Sequence, residues 1–264
     1  MKFTCAAQVN FPVQSAIMSH LLMAGNPWPA LKPSGRKSND LPTPRRRRSC
    51  SDSSRRGPDS TARGDVFAGI TVPVTRKLVR KYCDLSLGDA AELLKSPIHE
   101  ERLLALLILV EKARRGDDAT RKRIYGLYLK NTQTINSWDL VDLSAEHIVG
   151  AWLAGGNREK LYRLAKSKSL WERRIAIVAT FHDIKRGRPD HTLALADVLM
   201  GDRHDLIHKA VGWMLREVGK RCSPDTLRAF LRTRYRSMPR TMLRYAIERF
   251  PEEERKAYLR GTVD

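Results

Sequence analysis

The chain has no apolar stretch long enough to cross a bilayer. Its longest, Leu103 to Val110, is eight residues, against the roughly 20 that a spanning helix needs. Cysteine is scarce and scattered. Cys5, Cys50, Cys83 and Cys222 form no CxxC pair, which excludes a disulfide framework or a cysteine zinc cluster and points to a reduced, cytoplasmic setting. Ala16 to Gly25 is a short apolar run, but a single Lys2 before it makes a poor signal peptide. GxxxxGK[ST], GxGxxG and GxSxG are all missing, so nucleotide hydrolysis, dinucleotide binding and nucleophile-elbow chemistry have no support. His204 and His208 stand at i, i+4, but no HExxH glutamate lies between them and no third ligand is in sight; no metal is expected. No segment of useful length alternates with period two, so no sheet is expected. Aromatics make up only 7% of residues, which makes each tryptophan worth inspecting.

What the chain does have is positive charge. Its 264 residues carry a formal net charge of +20, with a pI near 10.2. Residues 1–64 hold 11 Lys and Arg against 3 Asp and Glu; the remainder holds 38 against 26. The folded part is therefore basic on its own. A polyanion is the natural partner, and charge spread over so many segments fits a membrane surface less well. Residues 1–63, with LPTPRRRRSCSDSSRRGPDS towards their end, read as a low-complexity basic extension without a core. Arg45 to Arg48 is a candidate nucleic-acid-binding arm, although a solvated segment explains it as well. Residues 64–264 read as the folded domain.

That domain reads as helix after helix. Pro73 opens one at the position where its missing N–H costs nothing. A second spans about Leu87 to Lys95. Ser96 and Pro97 open a third whose apolar residues nearly encircle it, which predicts burial. Asp118 to Lys130 follows, then one helix from Asn136 or Ser137 to Gly150. Further helices begin near Arg158, Ser169, His191, Asp205, Ser223, Met238 and Pro251. The long ones start near 96, 137, 169, 205 and 238, intervals typical of stacked helical pairs. The fold class expected is all-α, a helical-repeat solenoid with a concave basic face broad enough for a duplex.

Within it, Trp138 and Asp142 lie one turn apart on the same face of an otherwise apolar helix. A buried carboxylate is costly unless it is paired or used. Arg174 follows on the next long helix and Trp213 on the one after, so repeat geometry can bring all of these to one face. Taken singly, each tryptophan reads more simply as a core residue, Asp142 as one half of an ion pair between helices, and Arg174 as a surface bridge. Residue patterns alone stop at a basic helical solenoid that binds nucleic acid.

The segments GDVFAGITVP, SPIHEERLLALLILVEKA, NTQTINSWDLVDLSA, LWERRIAIVATF, HDLIHKAVGWMLREVGK and MPRTMLRYAIERF together resemble the bacterial DNA alkylation repair glycosylases of the HEAT-like repeat type, the AlkD family. The resemblance runs from about Gly64 to Gly261, in order. It implies a HEAT-like solenoid acting as a monomer, without metal, nucleotide or other cofactor, on duplex DNA containing alkylated purines. The implied reaction is hydrolysis of the N-glycosidic bond of N3- and N7-alkylated purines without flipping the base out. The family's paired tryptophan and catalytic aspartate fall on Trp138 and Asp142, its arginine on Arg174 and its second tryptophan on Trp213. Arg174 is then expected to grip a flanking phosphate, with Arg173 and Lys168 as nearby candidates for the same work. The chain departs from the family at its front. Residues 1–63 do not match the helical pair that supplies a further aromatic to the lesion site. Two other readings remain: a non-catalytic duplex-binding or lesion-sensing relative, and a protein–protein scaffold, which should carry a less basic concave face and no catalytic Asp.

Overall fold

The computed structural model describes Ala62 and residues 64–263. The basic extension expected over 1–63 lies, apart from Ala62, outside the described residues. The described chain is all-α. Its one trace of strand is an isolated parallel bridge between Val66 and Ile98, where the Val66 N–H donates to the Pro97 carbonyl and the His99 N–H to the Val66 carbonyl.

Helices α1 (Val72–Lys81) and α2 (Leu87–Leu93) pack on the long α3 (His99–Arg115), and α4 (Asp118–Lys130) runs back beside it. Then come α5 (Trp138–Asp142), a π-helical turn (Glu146–Gly150) and α6 (Ala151–Leu153). The second half contains α7 (Glu159–Ala165), α8 (Leu170–Ala179), α9 (Phe181–Ile184), α10 (Asp190–Leu199), α11 (Asp205–Arg221), α12 (Pro224–Arg232), α13 (Arg240–Ala246) and α14 (Glu252–Arg260). The contacts define two rows. In one, α3 meets the π turn, which meets α8; α8 also takes α5 and passes to α11, and α11 to α13. In the other, α4, α7, α10 and α12 each back onto the first row. Each helix thus buries its apolar stripe against the next repeat, as stacked pairs must.

Local chemistry explains most helix starts. Ser223 accepts N–H bonds from Asp225 and Thr226, Asp117 from Thr120, and Ser86 from Asp89, satisfying donors the first turn leaves over. Pro73 sits in the first turn of α1. Ser96 departs from expectation. It lies ahead of the helix, whose N-cap is Ile98; its hydroxyl accepts from the Ile98 N–H and donates to Glu101.

The continuous helix expected up to Gly150 is broken. It stops at Asp142, turns, and resumes as a π turn. Two features account for the break. The Ser144 hydroxyl bonds back to the Leu140 carbonyl and meets the buried Tyr128 hydroxyl at 3.0 Å, a back-bond that bends helices. Gly150 is pressed against α8, and a Cβ added there would lie 2.2 Å from the Ala179 carbonyl oxygen. That neighbour is backbone and cannot swing aside. Gly150→Ala should therefore cost about 3 kcal/mol by overpacking, read as a lower urea midpoint with an unchanged slope; an unaltered midpoint would show that the contact relaxes freely. The helix that begins after Ser169 ends at Ala179, and α9 follows past Thr180, whose hydroxyl donates to the Ile177 carbonyl at 2.7 Å.

Candidate active site

Asp142 closes α5, and α5 packs on α8. From α8, Arg174 meets it side-on. Nε donates to Oδ1 at 2.9 Å and Nη2 to Oδ2 at 2.8 Å, the two-pronged geometry in which guanidinium and carboxylate fit best. Arg174 Nη1 also donates to the Leu206 carbonyl at 2.6 Å, at the start of α11. One arginine thus ties three successive repeats together, and it is buried. Burial pushes the Asp142 carboxyl above its ordinary value; the charge and hydrogen bonds of Arg174 pull it back, and the Asp139 charge pushes it up again, leaving it raised. The carboxylate is fixed in place by Arg174, and burial keeps its carboxyl above the ordinary value.

Around this pair lies a cleft of about 390 Å³. Trp138, Asp142, Arg174 and Trp213 all line it. Trp138 is 50% exposed, so it is not a core residue. Trp213 is partly buried and braced by Phe181, with ring centroids 5.8 Å apart. Phe181 in turn lies under Lys185 and Arg221, so the indole has firm backing.

Arg173 and Lys168 do not join the cleft lining. Arg173 is a brace: Nε donates to Asp202 at 2.6 Å, and Nη1 to the carbonyls of Ser167 and Lys168. Lys168 is exposed on that same loop. Arg174, expected on a phosphate, spends three of its five N–H groups inside the protein. The cleft has two further cations that sequence reasoning passed over, Lys209, paired with Asp205, and Arg216, paired with Glu217 and Glu248, and a third aromatic, Tyr245. A signal for Tyr245 was present, since it lies 32 residues after Trp213, one repeat further on.

A second group missed in the sequence holds the start of α5 in place. His99 joins two carboxylates, Nδ1 to Asp65 at 2.9 Å and Nε2 to Asp139 at 2.7 Å. Arg102 also pairs with Asp65, and both Arg102 and Asp65 hold Asn136, just ahead of α5. Ser137, the N-cap of α5, spends its hydroxyl on Asp139 rather than on a backbone N–H. Glu100 accepts N–H bonds from Ala68, Gly69 and Ile70; Gly69 has φ near +80°, a conformation that favours glycine. The segment before α1 is thereby tied to α3, and the first turn of α3 is buried although it reads His-Glu-Glu-Arg.

The ring nitrogens of His204 and His208 face backbone groups, the Leu206 N–H and the Asp202 carbonyl. Among the described residues no cluster of three or more His, Cys, Asp or Glu could hold a metal ion, and no helix is long and apolar enough to cross a membrane.

Comparison with known proteins gives a fold and a family. A solved structure described as a predicted DNA alkylation repair enzyme from Enterococcus faecalis shares the fold, with a TM-score of 0.55 at 16% identity, over 72% of this chain and 90% of that one. No curated protein matches. The sequence pattern of the family described as DNA alkylation repair enzyme matches residues 50–250, which takes in every residue of the cleft. The chain belongs to the DNA alkylation repair enzyme family.

Proposed function

We propose that this protein is a monofunctional DNA glycosylase, hydrolysing the N-glycosidic bond of cationic N3- and N7-alkylated purines in duplex DNA, with Asp142 as the catalytic carboxylate. The observation that carries the reading is a rigid carboxylate, held side-on by Arg174 and flanked by Trp138 and Trp213 in an open cleft. Such a site suits a reaction that builds positive charge on a sugar. As the C1′–N bond breaks, its electron pair leaves with the base nitrogen and cancels the cation there, while C1′ becomes oxocarbenium-like. A fixed anion near C1′ stabilises that charge without having to reorganise. Water then bonds to C1′ and loses a proton to Asp142 or to solvent. The products are a neutral alkylpurine and an abasic sugar. A cationic base leaves readily, so no strong general acid is required.

The indole faces suit a cationic nucleotide and its sugar. The two N–H groups left on Arg174, together with Lys209 and Arg216, suit the flanking phosphates, which position a strand without reading its sequence. Lys168, exposed and away from the cleft, would meet the strand further along, and Arg173, which holds the carbonyls of that loop, would position it. An open cleft on α-helical walls also fits a reaction in which the base stays in the stack rather than entering a deep pocket.

The reading is tested with duplex carrying a single 7-methylguanine beside the same duplex with guanine. Free 7-methylguanine and an alkali-labile site should appear only in the first, with no metal or nucleotide added. Binding without release in prolonged single-turnover reactions would favour a lesion-sensing relative. Binding to plain duplex should weaken steeply with salt, since neutralised phosphates release counterions; salt-insensitive or absent binding would point to a protein partner instead.

A further inference from the structure

We infer that Tyr245 is a specificity-determining residue of the cleft, a third aromatic wall that contacts the cationic lesion nucleotide alongside Trp138 and Trp213. The inference rests on the glycosylase reading and assigns a residue outside the tryptophan, aspartate and arginine set that led to it.

Three observations carry it. Tyr245 lines the same cleft as Asp142 and both indoles. It is also one of the few large apolar side chains left exposed, at 36%, beside Trp138 at 50%. Aromatic surface left in water at one concave place marks a binding site more than a packing accident. Third, the packing is built to bring it there. Helices α11 and α13 meet more extensively than any other pair of described elements, and the reason is Gly212, immediately before Trp213. A Cβ there would lie 2.5 Å from the Met242 carbonyl oxygen and 2.5 Å from the Tyr245 Cβ. The missing side chain lets the α13 backbone close onto α11 and seats the Tyr245 stem beside the helix that carries Trp213. Further along, Arg216 of α11 pairs with Glu248, just past the end of α13. Trp138, Arg174, Trp213 and Tyr245 thus recur at about one repeat each, on α5, α8, α11 and α13. Tyr245 supplies the third ring of the cleft from the helix that follows, in the same row, the one carrying Trp213.

The ring face attracts cations through its quadrupole, so its contribution should be specific to the charged lesion. The test compares binding of two duplexes, one with a neutral tetrahydrofuran and one with a cationic pyrrolidine in place of a single deoxyribose. Wild type should prefer the cationic duplex. Tyr245→Ala should narrow that preference about tenfold, the order of a partly exposed cation–π contact, while losing less affinity for the neutral duplex. Tyr245→Phe should keep the preference. An Ala variant that discriminates as well as wild type overturns the role of Tyr245 and leaves the glycosylase reading standing. Loss of the preference in Tyr245→Phe overturns the ring-face contact in favour of the hydroxyl. A wild type that does not discriminate at all overturns both readings.

Discussion

Asp142→Asn should lower single-turnover release of 7-methylguanine by about 10²- to 10³-fold, the usual loss when one preorganised electrostatic contact to a charged transition state is removed. The substitution conserves shape and removes the charge. Affinity for undamaged duplex should hold, because phosphates are met by cations and not by this carboxylate. The wild-type rate should also fall toward acid. Asp142 must be ionised to stabilise the sugar cation, and burial holds its carboxyl above the ordinary value despite Arg174. Its protonation, and the acid limb of the pH–rate profile, should therefore lie above the ordinary carboxylate range near 3.8. The Asn variant has no such group, so its residual rate should lack that limb. Equal release by the two proteins would remove Asp142 from the mechanism.

Local chemistry made much of the scaffold legible. Ser169, Ser223 and Pro73 open helices as their side chains dictate, and the helices expected to be long begin at His99, Trp138, Leu170, Asp205 and Arg240, each within a few residues of the periodic reading, although those at Trp138 and Arg240 run for only 5 and 7 residues. The i, i+4 pair Trp138 and Asp142 was visible for the same reason. What stayed hidden depends on partners distant in sequence. Asp142 finds Arg174 32 residues away. Burial of the charged first turn of α3 depends on Asp65, Ala68 to Ile70, and Asp139, which come from both directions along the chain. The break after Asp142 reflects a hydroxyl and a glycine, Ser144 and Gly150, whose neighbours lie on α4 and α8. Hydrophobic periodicity carries no information about such pairs. The repeat interval does, and following it one step beyond Trp213 reaches Tyr245.

The buried cluster at the start of α5 should make stability depend on pH. Burial alone would depress the His99 pKa. Its hydrogen bonds to Asp139 and Asp65, and their charges, outweigh that and hold it near 9, against 6.5 for a free histidine. A shift of that size corresponds to on the order of 3 kcal/mol between the protonated and neutral forms. A group whose pKa is raised on folding stabilises fully below its unfolded value and loses that contribution as pH rises through its folded value. Stability should therefore decline from about pH 6.5 to about pH 9. Asp65 and Asp139 run the other way. Both are lowered, through His99 and other partners and against the opposing cost of burial, so their contribution is present above the ordinary 3.8 and lost in stronger acid. His99→Leu leaves Asp65 with Arg102 and Asp139 with Ser137, so the chain should still fold, about 3 kcal/mol less stable near pH 6 and without the alkaline decline. Because Asp139 sits between Trp138 and Asp142 on α5, the loosened helix should also raise the KM for lesion duplex. Unfolding curves from pH 5 to 9.5 decide the matter: parallel slopes for wild type and variant would mean that the imidazolium does not hold α5 in place.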